Sequence, residues 1–320
     1  MNIISFLKKL FRIDNKKVHP EVIPVSKSKS QTIIDWTGKP MDKYHWWPMK
    51  QSIPLIEDIS NNLYAIGGGL SKYDTLFSTK SVEYQKSNYF KSCDSTDSDA
   101  NWAGFCDAAT ILACLWKYPK HSVTVTHNNK TQVFDTTDIE ALMIIASYGS
   151  VCKGESMFLG ERYNGYYLED KSEPYPIELV DMLFKVCKDK YPFAIDIEHK
   201  EAVWNYPFNK VIVKRYNKYP HNSSYEFGRI PKTGKTFYYN FIIESDAYKT
   251  KNLNLWGWSN NTFNIITQGW FSKKHPDFIW KKYPHHLEWK GPCRINPEIN
   301  ANHIYKIYKL SLNYGGVLNI

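Results

Sequence analysis

Apolar residues recur at helical spacing in three stretches of the middle of the chain. From about Phe105 to Trp116 nearly every residue is apolar or small, after the extended, glycine-containing segment Asn101 to Gly104. That pattern predicts an apolar helix. A second helix is predicted over Thr137 to Ser147, where Thr137 is a natural cap and Glu140 stands three residues later. A third runs from Glu173-Pro174 to about Lys188, with Ile177, Leu179, Val180, Leu183 and Val186 at helical spacing.

Beyond residue 190 the period changes from helical to alternating. Phe193 to Glu198, Val211 to Tyr216, Phe237 to Glu244 and Phe263 to Trp270 alternate as half-buried strands do. His303 to Leu312 reads as a short helix or a strand. Helices first and an antiparallel sheet second is the α+β order, with a helical part over about 101–190 and a sheet part over about 191–315. Both belong to one domain spanning 46–320, and no internal repeat interrupts it.

The chain before this domain has a different character. In residues 1–13, Ile3, Phe6, Leu7 and Leu10 fall on one helical face and Ser5, Lys8, Lys9 and Arg12 on the other. This is a short cationic amphipathic helix, suited either to lie on a membrane surface or to dock on the protein body. Lys8 and Lys9 cut its apolar run and no small-residue cleavage site follows, so it does not read as a signal peptide. The expectation is a chain that stays in the cytoplasm or is exported as an effector by a signal-independent route. Residues 14–45, rich in Lys, Ser, Pro and Asp, complete the 1–45 segment as a connector that is flexible or hugs the surface. Residues 46–100 carry aromatic turns and Gly67-Gly68-Gly69, which lacks the Lys-Ser/Thr of a phosphate loop and reads as a turn. No run approaches the roughly 20 apolar residues of a membrane span.

Composition narrows the partners. The formal charge is +9, from 41 Lys and Arg against 32 Asp and Glu, but the lysines are scattered rather than arrayed along one element. That is a mildly cationic surface, and nucleic acid is not the expected partner. Aromatic residues reach 16%. They supply core first, and rings lining a cleft for peptide or sugar second. The six cysteines, Cys93, Cys106, Cys114, Cys152, Cys187 and Cys293, form no C-x-x-C pair, which argues against a structural zinc site. A catalytic thiol has to stay free and leaves an odd number, so a mostly reduced set is expected, with Cys114 and Cys187 as packing thiols in helices.

Cys106 carries the chemistry. It stands where an extended segment turns into an apolar helix, so its sulfur meets the positive end of the helix dipole. Such a field favours thiolate over thiol. A nucleophile also needs an imidazole, a group that orients the ring, and donors for an oxyanion. The sheet half offers His199, His221, His275, His285 and His286. His275, in His-Pro-Asp-Phe-Ile-Trp, has Asp277 two residues on as an orienting carboxylate; a purely local turn network is the alternative reading of that pair. His199 with Asp196 is a second option, whereas His285-His286 reads as a solvated loop. The Asn101 amide is a candidate oxyanion donor beside the Cys106 backbone N–H, and a turn-forming asparagine is its ordinary role.

Four segments, in order, resemble the elicitor-type transglutaminases of oomycetes and their bacterial relatives: Trp102-x-Gly104-x-Cys106 with its alanine-rich helix; Val203-Trp204-Asn205-Tyr206-Pro207 preceded by Asp196; the aromatic strand Tyr238 to Glu244; and Gly269-Trp270 followed by His275-Pro276-Asp277-Phe278-Ile279-Trp280, with Asn296-Pro297 beyond. The likeness covers about residues 100–300. It implies a papain-like α+β fold and cysteine-based acyl transfer on protein glutamine, forming Gln–Lys isopeptide bonds or deamidating. By the same analogy Cys106 is the nucleophile, His275 and Asp277 are its partners, and Asp196 is a second acidic candidate. Trp204 and Pro207 shape the cleft, and with Asn101, Trp102 and Trp270 they make the expected substrate-binding set. The implied partner is a protein with accessible glutamine and lysine. No organic cofactor is expected, and the family precedent is compatible with a divalent ion such as calcium, although no acidic EF-hand-type loop is present. Phe105, Asp107 and Tyr206 stand where the family carries other residues. A papain-like cysteine protease and a papain-like binding protein without chemistry are the alternatives.

Overall fold

The structure, a computed structural model, describes residues 29–49, 62–89, 103–148, 158–160, 174–189, 192–197, 205–220, 230–271, 275–276, 278–280, 292–293 and 295–320. In chain order the elements are β1 (Ser30–Thr37), α1 (Gly69–Phe77), α2 (Ser81–Tyr89), α3 (Cys106–Leu115), β2 (Val123–His127), β3 (Lys130–Phe134), α4 (Thr136–Tyr148), β4 (Phe158–Gly160) and α5 (Pro176–Val186). There follow β5 (Phe193–Asp196), β6 (Asn205–Phe208), β7 (Lys210–Tyr216), β8 (Lys235–Glu244), β9 (Leu253–Thr262), β10 (Ile265–Trp270), β11 (Phe278–Trp280), α6 (Ala301–Asn313) and β12 (Gly316–Asn319).

The continuous apolar run in α4 has the consequence expected of a helix that is hydrophobic all round. Ile139, Ala141, Leu142, Met143, Ile144 and Ile145 are all buried, and α1, α3 and α6 pack around this helix. Its start differs from the sequence expectation. The capping box is Asp135 with Asp138, not Thr137 with Glu140: the Asp138 N–H donates to Asp135 Oδ1 at 2.9 Å and the Asp135 N–H to Asp138 Oδ2 at 3.0 Å. The aspartates' short side chains close the box two residues earlier in the chain. Glu140 is thereby freed to turn inward, where it is buried.

Among the described residues, three sheets complete the fold. The largest is antiparallel, in the order β1-β7-β8-β9-β10. Its inner face comes from alternate residues, among them Val211 and Val213 of β7, Tyr239, Phe241 and Ile243 of β8, and Leu253 and Leu255 of β9. The amphipathic α5 lies against β9 and β10. Gly257 makes that approach feasible, since an added Cβ there would come within 2.5 Å of Pro176. A second antiparallel sheet runs β4-β11-β5-β6. A third runs β12-β2-β3, with β12 parallel to β2.

The α+β organisation is therefore present, but the two halves interleave. Within the 1–45 segment, residues 30–37 form β1, which pairs with β7 along its length, and residues 38–45 follow without a regular element, with Met41 and Tyr44 buried. Residues 62–89 hold two helices, and Gly67-Gly68-Gly69 is the turn into the first. The 101–190 stretch contains the β2–β3 hairpin, whose Asn128-Asn129 turn has φ of 46° and 59°. The 303–312 segment is the middle of a 13-residue helix that returns to the helical side. Residues 1–13 lie outside the described residues.

Candidate functional site

Cys106 is the first residue of α3, as the sequence predicts. A collar of backbone fixes it there. The Phe105 N–H donates to the carbonyls of Trp46, at 2.7 Å, and Trp47, at 3.2 Å, and the Met49 N–H donates to Ala103 O at 2.9 Å. Gly104 is required for this approach: a Cβ on it would sit 2.1 Å from Trp46 Cε3. The collar is itself anchored on buried Glu140. That carboxylate accepts from the His45 N–H at 2.6 Å and the Tyr118 hydroxyl at 2.9 Å, and lies 3.0 Å from His45 Nδ1.

The same helix meets the second sheet through Asn205, the first residue of β6. Thr110 Oγ1 donates to the Asn205 carbonyl at 2.8 Å. Trp280, at the end of β11, donates its indole N–H to Asn205 Oδ1 at 2.7 Å. An indole nitrogen only donates, so this bond assigns the amide: the oxygen faces Trp280 and the NH2 faces the other way. That NH2 lies 3.7 Å from Cys106 Sγ, as a donor to the sulfur. Asp196, buried at the end of β5, is paired across the sheet with Asn205 on one side and Phe278 on the other.

The electrostatics correct one expectation. The helix dipole does not make this sulfur a ready thiolate. Burial, foremost, and then the Asp107 carboxylate push the Cys106 thiol up to about 12, with Asp196 adding in the same direction and the Asn205 amide opposing. Removing a sulfur anion from water costs more here than the backbone and side-chain bonds of Asn205 return. Asp107 is also pushed up, to about 7, by burial, against the bond it accepts from the Ala108 N–H at 2.8 Å. The resting site thus pairs a neutral thiol with a carboxyl that titrates near neutrality.

Of the predicted site residues, Asp196 bears electrostatically on Cys106, and His275 packs against Trp270. His275 is buried and its ring stacks on Trp270 at 5.7 Å and 12°. Trp270 Nε1 donates to Pro174 O at 3.0 Å, which ties that pair to the start of α5. His275 stands three residues before Phe278, the residue paired with Asp196. Pro207 is buried in β6, the edge of its sheet, where a missing N–H is tolerated. Asn101, Trp102, Trp204 and Asp277 lie outside the described residues, as do His199, His221, His285 and His286. Among the described residues, the side-chain amide placed on the sulfur is that of Asn205. Sequence reasoning passed over Asn205, Trp280 and Asp107 as site residues, although each stood inside a quoted motif or beside the cysteine.

Cys106, Cys114, Cys187 and Cys293 carry free thiols; Cys114 is buried as expected, and Cys187 sits half-buried just past the end of α5. Among the described residues no group of three or more His, Cys, Asp or Glu is arranged to hold a metal ion. Among them, too, no helix is long and apolar enough to cross a membrane. Comparison with protein-family models, with curated proteins and with solved structures finds no match to this chain.

Proposed function

We propose that this chain is a cysteine acyltransferase of papain-like organisation, acting on the γ-carboxamide of protein glutamine like the transglutaminases it resembles. One observation carries the reading: a cysteine on the first turn of a buried helix receives an amide N–H from a sheet residue whose orientation Trp280 enforces.

In this scheme Cys106 Sγ attacks the carboxamide carbon, the C–N bond breaks, and ammonia leaves with the thiol's proton. The thioester is resolved when a lysine amine forms the isopeptide bond, or when water yields glutamate, and the proton returns to sulfur as the C–S bond breaks. The raised thiol means that the proton leaves as the new bond forms, not beforehand, which is general-base rather than ion-pair chemistry. His275 is assigned as that base, with Asp277 or Asp196 holding the ring. The test is ammonia release from a glutamine peptide: the wild-type chain releases it and Cys106→Ala does not. Equal release by both rejects the scheme. Mass analysis of a treated protein separates the variants, since crosslinked products mean transfer, a gain of about 1 Da deamidation, and backbone cuts proteolysis.

The raised thiol also favours a second reading, a papain-like binding protein without chemistry. It requires that wild type and Cys106→Ala be equally silent on every glutamine substrate, while both still bind protein.

A further inference from the structure

The β9–β10 hairpin ends in a feature that folding does not require. Thr262 pairs with Ile265, leaving the two-residue turn Phe263-Asn264, both at positive φ, 52° and 66°. The β2–β3 hairpin has the same kind of turn and makes it with Asn128 and Asn129. Asparagine tolerates this backbone and a bulky residue is strained in it. Phe263 accepts the strain without compensating burial, since it is 93% exposed. Ile265 and Ile266 follow at 67% and 54% exposed. They stand opposite Thr262 and Asn261, so they leave opposite faces of the ribbon. Apolar surface therefore wraps the tip. A flat protein interface would cover one face only; an apolar medium that surrounds the tip covers both.

The setting is cationic. Exposed Lys232 and Lys235 lie at the start of the neighbouring β8. Lys235 shares a cross-strand row with Asn261 and Ile266. Thr233 O accepts from Asn260 Nδ2 at 3.0 Å and Thr262 Oγ1 at 2.9 Å, which pins the lysine-bearing segment against the hairpin. We propose that this tip is a membrane-docking wedge: Phe263, Ile265 and Ile266 enter the headgroup–acyl boundary of an anionic bilayer while Lys232 and Lys235 meet its phosphates. The cationic amphipathic pattern of residues 1–13 is a separate pointer to the same partner. The proposal is independent of the acyl-transfer reading.

The experiment is flotation of the full chain with vesicles of phosphatidylcholine alone or with about one third phosphatidylserine. The wild-type chain floats with the anionic vesicles, less so as salt rises. Phe263→Asn lowers the bound fraction about tenfold while its melting temperature holds or rises, because Asn suits the turn. Lys232→Glu with Lys235→Glu removes the preference for anionic lipid. Three results overturn the proposal: a wild-type chain that does not float, a Phe263→Asn chain that floats as well as wild type, or a wild-type dimer in sedimentation that this substitution dissolves, which would make a second copy the occupant.

Discussion

Helices α3 and α4 pack against each other, and each carries an aspartate in its first turn, yet their starts are built oppositely. At α4 the backbone is closed by the reciprocal Asp135–Asp138 bonds, and Lys72 neutralises Asp138. At α3 the capping position is Phe105, which offers no side-chain bond, and the first turn presents a thiol and a carboxyl that burial holds toward neutrality. The first arrangement spends its polar groups on stability. The second leaves a thiol, a titrating acid and an oriented amide in one place. Such a contrast within one core is what the proposed acyl transfer calls for at the start of α3.

The contrast breaks most visibly at the closed end. Asp138→Ala removes a cap and leaves Lys72 beside a buried site, and should lower stability by about 3 kcal/mol in denaturant unfolding. Asn205→Leu comes next. It strands the Trp280 indole N–H, for a loss of about 2 kcal/mol, and takes a donor from the sulfur, so iodoacetamide labels Cys106 more slowly at any given pH. A faster rate would mean that the amide does not favour the anion.

Asp107→Asn sharpens the comparison through pH. The folded carboxyl titrates near 7, above its ordinary value of 3.8, so the folded state holds the proton longer than the unfolded state. Stability from this group is full below about 4 and declines as pH rises through 7. The amide variant escapes that decline, so it should gain about 1 to 2 kcal/mol over wild type between pH 5 and pH 8. It should also label faster at Cys106, because a charge that raises the thiol is gone. The smallest effect is expected at Thr110→Val, about 1 kcal/mol, for the single bond to the Asn205 carbonyl.

What was legible in the sequence follows the strength of local pattern. The α3 helix with Cys106 at its mouth, α5 and strands β7, β8 and β10 were readable because their apolar period is long and clean. The β2–β3 hairpin was not, although Val123 to His127 alternates and Asn128-Asn129 is a turn signal, because it sits among helices. Strand β1 was missed because Ser, Gln, Thr and Asp alternate with its apolar residues on an edge strand of the large sheet. The partners of the sulfur were hardest. Asn205 lies 99 residues away from Cys106 and Trp280 another 75 beyond, and only the folded register shows that one amide spans both. The protonated thiol was likewise invisible, because burial is a property of the packed core rather than of the first turn of a helix.

The central claim is that Cys106 becomes acylated by a glutamine side chain. Intact-mass spectrometry of the chain, acid-quenched after mixing with a glutamine-containing peptide, tests it directly. The account predicts an adduct equal to the peptide minus one ammonia, about 17 Da, located on the Cys106 peptide and absent in Cys106→Ala. A chain that turns the peptide over with no such adduct at any quench time, or that carries the adduct on another residue, contradicts it.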